Sequence, residues 1–126
     1  MEKKIINTSN APAPIGPYIQ AVLFGNIIFI SGQIPLDPKT GNMQQDDITA
    51  ETNMVMQNLK AILNEAGMDF SNVLKTTIFM TDLKQFGIVN EIYGSYFTGD
   101  YPARETVQIA ALPKGANVEI SMIAGK

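Results

Sequence analysis

The stretch Tyr101–Ala124, YPARETVQIAALPKGANVEISMIA, decides the reading of the fold. Two segments in it alternate with a period of two, Thr106–Ala111 and Asn117–Ala124, with Leu112, Pro113, Lys114 and Gly115 in the turn between them. Such alternation puts successive side chains on opposite faces of a strand. Arg104, Thr106 and Gln108 then share one face and Glu105, Val107 and Ile109 the other. In the second segment Asn117, Glu119 and Ser121 oppose Val118, Ile120 and Met122. The expectation is two strands that turn an apolar face to covering helices and a mixed polar face away from them. Arg104, just after Pro102, stands at the mouth of the first strand, where a guanidinium can offer a two-pronged donor to a carboxylate. Glu119 could supply a base to the same neighbourhood.

Working outward, Val73–Thr81 (VLKTTIFMT) is rich in β-branched residues and reads as a strand. Asp82 is expected to open a helix, with Gln85 completing a capping-box-like pair and Phe86, Val89, Tyr93, Tyr96 and Phe97 forming its apolar stripe. An earlier helix spans Ile48–Gly67, where Val55, Leu59, Ile62, Leu63 and Ala66 recur at helical spacing. Thr49 or Asp47 can cap its start, and Gly67 suits the position just past its end. Before it, Ile19–Phe24 and Ile27–Ser31 flank Gly25-Asn26, the signature of a type II′ hairpin. Asn10–Pro17 (NAPAPIGP) is a stiff connector, and Pro35–Met43 reads as a loop or hairpin excursion.

The order is a β hairpin, α, β, α, β, β. Strand–helix–strand units favour parallel neighbours whereas the hairpin is antiparallel, so the sheet should be mixed. The expected fold is a single two-layer α+β domain over residues 1–126, about six strands with two helices on one face. The early strands are apolar on both sides, which leaves hydrophobic sheet for a second copy of the chain to cover.

Composition narrows the chemistry. The 126-residue chain has no histidine and no cysteine. Imidazole bases, thiol nucleophiles, most zinc sites and the usual catalytic triads are therefore out of reach. If the protein is an enzyme, carboxylate, guanidinium, hydroxyl and backbone do the work, and no metal or cofactor is expected. The net charge of −3 and the scattered lysines give no basic patch for nucleic acid. No apolar run approaches a membrane span and the opening MEKKIINTSN is too polar for a signal sequence, so the expected location is the cytoplasm.

Several separated motifs occur in order: NAPAPIGPYIQAV, FISGQIPLDPKTG, VLKTTIFMTDL, FGIVNEIYGSYF, YPAR and VQIAALPKGANVEI. Over essentially its whole length the chain resembles the RidA (YjgF-type) reactive-intermediate deaminases. The resemblance implies a chorismate-mutase-like fold, a homotrimer with ligand clefts between subunits, and hydrolysis of imines and enamines such as 2-aminoacrylate and 2-iminobutanoate to 2-oxo acids and ammonia. Matched by position, Arg104 corresponds to the arginine that holds the substrate carboxylate and Glu119 to the acid that positions the attacking water. Tyr18, Ser31, Gly32 and Asn90 correspond to residues lining the same cleft, with Tyr18 a candidate proton donor or relay. Thr106 stands where many members carry cysteine, its backbone amide available to the carboxylate, and Glu105 where many carry a small residue. Both departures bear on substrate preference.

Each residue also has a plainer reading. Arg104 could simply pair with Glu105 or Asp100, Glu119 could be a solvated strand residue, and Gly32 could mark a bulge. Tyr18 and Ser31 could be core-edge or turn residues, and Asn90 an exposed helix residue. The rival functional class is a carboxylate-binding or regulatory protein using the same cleft without turnover, and a third is action on RNA.

Overall fold

The computed structural model describes residues 2–126. Its sheet is built from β1 (Lys3–Ile6), β2 (Ala21–Phe24), β3 (Ile27–Gln33), β4 (Val73–Met80), β5 (Ala103–Gln108) and β6 (Val118–Gly125). The spatial order is β1-β2-β3-β6-β4-β5. Only β4 and β5 run parallel, joined by the helix α2 (Phe86–Ser95); every other pairing is antiparallel. The helix α1 (Ile48–Glu65) packs beside α2 on one face, giving the two-layer α+β domain with a mixed sheet.

Local chemistry accounts for most of these elements. Gly25 has φ +62° while Asn26 has no positive φ, as a type II′ turn requires between β2 and β3. Asp47, not Thr49, caps α1: its Oδ1 accepts from the Ala50 N–H at 2.7 Å. Gly67, at φ +73°, reverses the chain past the helix end. Leu36 and Met43 bridge antiparallel, closing the excursion between them. One buried side of α1, with Val55, Met56, Leu59, Ile62 and Leu63, meets Ile28, Ile30, Ile78, Ile120 and Met122 of the sheet to form the core.

Several details depart from the reading of the sequence. The strand β1 carries Lys3 and Lys4, a polar edge that blunts further pairing and hides the strand's β character. The second helix starts later than Asp82. Asp82 caps a 3-10 turn over Leu83–Gln85 by accepting from the Lys84 N–H at 3.0 Å, so it has no box with Gln85, and α2 begins at Phe86. Finally, β5 lies earlier than Thr106–Ala111 because it pairs with β4 from Lys75/Ala103 to Met80/Gln108 and ends where β4 ends. Arg104 is therefore inside the strand.

That pairing also decides which way the β5 side chains point. Cross-strand partners share a face. Arg104, Thr106 and Gln108 are partnered with Thr76, Ile78 and Met80, all buried beneath the helices. The polar row of β5 thus faces the helix layer and Val107 is left exposed on the other side, the reverse of the expected polarity. In β6 the expectation is met, with Val118, Ile120 and Met122 buried and Glu119 and Ser121 pointing away. The helix-free face carries a row of Ile5, Val22, Phe29 and Ile123, in which Ile5 is 63 % and Phe29 49 % exposed.

Candidate active site

The residues singled out from the sequence fall into two groups on opposite faces of the sheet. The first surrounds Arg104, in a pocket of about 450 Å³ lined by Asn90, Tyr93, Gly94, Tyr101, Pro102 and Arg104. Arg104 Nη1 donates to Asn90 Oδ1 at 2.7 Å. Its guanidinium carbon lies 5.2 Å from the centre of the Tyr93 ring and 5.4 Å from that of Phe86, both within cation–π range. Among the described residues no carboxylate stands at ion-pairing distance from it. Glu105 is taken by a hydrogen bond from Thr77 and by Lys75 at 3.0 Å, which together hold its carboxyl below the usual range. The guanidinium therefore keeps donors for an incoming anion. Thr106 lies two residues along the same face, and its Oγ1 is buried with no partner among the described residues.

The second group surrounds Glu119. Between Ile30 and Gln33 the β3–β6 register slips by one residue, because β3 advances three positions while β6 advances two. This bulge carries Ser31 and Gly32. A Cβ on Gly32 would lie 2.8 Å from both Cδ and Oε2 of Glu119, so only a bare glycine lets the carboxylate rest against the strand. Desolvation pushes the half-buried Glu119 carboxyl above its ordinary value. Ser31 Oγ donates to the Ile19 carbonyl at 2.6 Å and its N–H to the Gln20 carbonyl at 2.9 Å, tying the connector to β3. Tyr18, half exposed, lines a groove with Ile19, Phe29 and Ser31 and a smaller one with Gly32. Gln20 fixes this connector from within: its Nε2 donates to the Thr8, Ala11 and Pro12 carbonyls and its Oε1 accepts from the Thr8 N–H.

Phe86 and Tyr93 enter the site although their sequence pattern marks them only as an apolar helix stripe. The missing signal is their i, i+7 spacing around Asn90, which aims all three at one strand residue. No group of three or more acidic side chains suited to a metal occurs among the described residues, and none of their helices is long and apolar enough to cross a membrane.

The family model described as Endoribonuclease L-PSP matches residues 8–126. The chain belongs to this family, the RidA/YjgF group. Among similar proteins, "Protein DfrA" of Myxococcus xanthus is 56 % identical over 126 residues, covering 98 % of this chain and 96 % of that one. The 2-iminobutanoate/2-iminopropanoate deaminase of Rattus norvegicus is 50 % identical over 122 residues, with 97 % and 89 % covered. Among solved structures, a Rid-family protein of Yersinia pestis superposes with a TM-score of 0.97 at 48 % identity, covering 99 % of this chain and all of that one.

Proposed function

We propose that this RidA-family protein hydrolyses small 2-imino and enamine acids, such as 2-aminoacrylate in its imine tautomer and 2-iminobutanoate, to 2-oxo acids and ammonia. The observation that carries the reading is the uncommitted guanidinium of Arg104, held over two aromatic rings at the wall of a pocket. A carboxylate takes its remaining N–H donors through charge-assisted hydrogen bonds. The identity to a relative named as such a deaminase supports the same reaction.

Within one chain Arg104 and Glu119 face apart, so a working site needs two copies, one giving Arg104, Asn90 and Thr106 and its neighbour giving Glu119, Gly32, Ser31 and Tyr18. The exposed apolar row of Ile5 and Phe29 is the surface such a partner covers. A cytoplasmic homotrimer, with three equivalent clefts, satisfies this arrangement. In the reaction Glu119 accepts a proton from water as its oxygen attacks the C=N carbon. The nitrogen takes up a proton, and the carbinolamine collapses to C=O and ammonia. General-base help of this kind contributes ~10²–10⁴-fold, adequate for imines that already hydrolyse unaided. Tyr18, which lines a groove with Gly32, is the candidate proton relay. Arg104→Ala tests the reading: acceleration of imine loss from an amino-acid oxidase reaction should disappear, and undiminished acceleration refutes it.

A binding-only role draws on the same clamp, since Arg104 and Asn90 make it without Glu119. Wild-type protein that holds a 2-oxo acid yet leaves imine decay unchanged would favour that role. For the endoribonuclease in the family's description, the net charge of −3 and scattered lysines argue against an RNA surface. RNA affinity falling steeply with salt would reverse that judgement.

A further inference from the structure

We propose that Phe86 and Tyr93 form an aromatic clamp that positions the Arg104 guanidinium for its ligand, with Thr76 setting the height of the Tyr93 ring. The inference deepens the reading of Arg104 as the carboxylate-binding group and rests on it. Phe86, Asn90 and Tyr93 follow one another at i, i+4 and i+7, so α2 turns a single stripe towards β5. All three meet the same side chain, two rings at 5.4 and 5.2 Å and an amide oxygen at 2.7 Å. An arginine on an edge strand normally samples many rotamers; two ring faces and one acceptor reduce that freedom before any ligand arrives.

The clamp is itself anchored. The Tyr93 hydroxyl donates to Thr76 Oγ1 at 2.9 Å, and Thr76, wholly buried on β4, is the register partner of Arg104. Tyr93 is 3 % exposed and packs in a tilted arrangement against Phe97, with ring centres 4.9 Å apart. Burial raises its phenol above the ordinary value, against smaller opposite effects from Thr76 and Arg104, so it stays a neutral donor. Strand, helix and guanidinium are thus linked through one tyrosine. Neither ring is asked to touch the reacting atoms, so both are positioning residues. Because the carboxylate is held alike before and during reaction, loosening Arg104 weakens binding more than turnover.

The test compares Tyr93→Leu, Tyr93→Phe and Phe86→Leu in the full chain, measuring the Kd for 2-oxobutanoate by calorimetry and kcat and KM for imine hydrolysis. Tyr93→Leu is expected to raise Kd and KM roughly tenfold with kcat within about threefold of wild type. Tyr93→Phe, which keeps the ring but loses its hydrogen bond to Thr76, should raise Kd and KM by on the order of threefold, less than Tyr93→Leu does. Phe86→Leu, at a half-buried site that tolerates the change, should raise Kd on the order of threefold, and it carries the test if Tyr93→Leu fails to fold. Wild-type affinity in Tyr93→Leu or in Phe86→Leu overturns the clamp, as does a loss in Tyr93→Phe equal to that in Tyr93→Leu. Failure of wild-type protein to bind 2-oxobutanoate would instead remove the carboxylate reading beneath it.

Discussion

Arg104 and Glu119 stand on opposite faces of one sheet. In the β4 register, regular from Lys75 to Met80, Arg104 is partnered with Thr76 and Glu119 with Phe79, three positions apart along β4. An odd separation on a strand means opposite faces, and the burial of Thr76 puts Arg104 on the helix side. No side-chain rotamer can join them within a chain, which makes a shared site a property of two chains.

Mixing subunits tests that directly. Arg104→Ala and Glu119→Gln should each be inactive alone, yet co-refolded mixtures should regain activity, because some clefts then combine an intact Arg104 with an intact Glu119. For random assembly of equal amounts into closed rings, roughly a quarter of the clefts qualify. Recovery near that fraction in the imine-loss assay supports the intersubunit site; none at all, with mixed assembly verified by mass spectrometry, speaks for a site within each chain.

The raised pKa of Glu119, a consequence of its burial, has two effects of opposite sign. As the proposed base it must be ionised, so the acid limb of the kcat/KM profile should lie above 4.5, the ordinary value for glutamate. In stability the folded chain holds this proton more tightly than the unfolded chain. Folding is therefore favoured at low pH, and that advantage is lost as pH rises through the interval between the unfolded and folded values. Glu119→Gln should thus melt higher than wild type at neutral pH, with the gap closing in acid, while losing ~10²-fold or more in kcat. Calorimetry at two pH values, set beside the rate profile, checks both.

How far the sequence discloses this arrangement depends on what orients each residue. The polarity of β6 is legible because Val118, Ile120 and Met122 have only one apolar layer to enter. That of β5 is not, since its polar row acquires its surroundings from α2: the Arg104 guanidinium lies over the Phe86 and Tyr93 rings and bonds to Asn90. The choice between Thr76 and Thr77 as its partner is a matter of register, set by residues distant in the chain. Gly32 is readable as a bulge, but its function as the floor beneath Glu119 requires the neighbouring strand. Thr106, Glu119 and the Ser31–Gly32 bulge take their places from strand pairing between segments distant in the chain, which local patterns do not encode.

Glu51 offers a test of the scaffold apart from the chemistry. This carboxylate, 1 % exposed in the first turn of α1, accepts from the Asn117 N–H at 2.9 Å and from its Nδ2 at 2.6 Å, fastening the helix to the entry of β6. Glu51→Ala leaves both donors without this partner and opens a small void, a loss of about 2–4 kcal/mol. Thermal unfolding should fall by on the order of 10 °C. The Kd for 2-oxobutanoate, measured well below the melting range, should move little, because the Arg104 pocket shares no contact with this fastening.

Gly32→Ala separates the two roles that one position can have. Its backbone lies outside the positive-φ region, so alanine is not strained there, and removing glycine flexibility by itself favours folding by ~0.4–1 kcal/mol. The new methyl, however, would stand 2.8 Å from the Glu119 carboxyl. What must move is the far end of a flexible, half-exposed side chain, which can swing aside at little expense in stability. Displacement by an ångström is nonetheless severe for a group that must meet a water at hydrogen-bond distance, and on the order of 10²-fold in rate can be lost. The expected result is kcat reduced tenfold to a hundredfold, roughly, with the melting temperature within a few degrees of wild type. Full activity in Gly32→Ala would mean that the resting place of Glu119 against the bulge is not its working position.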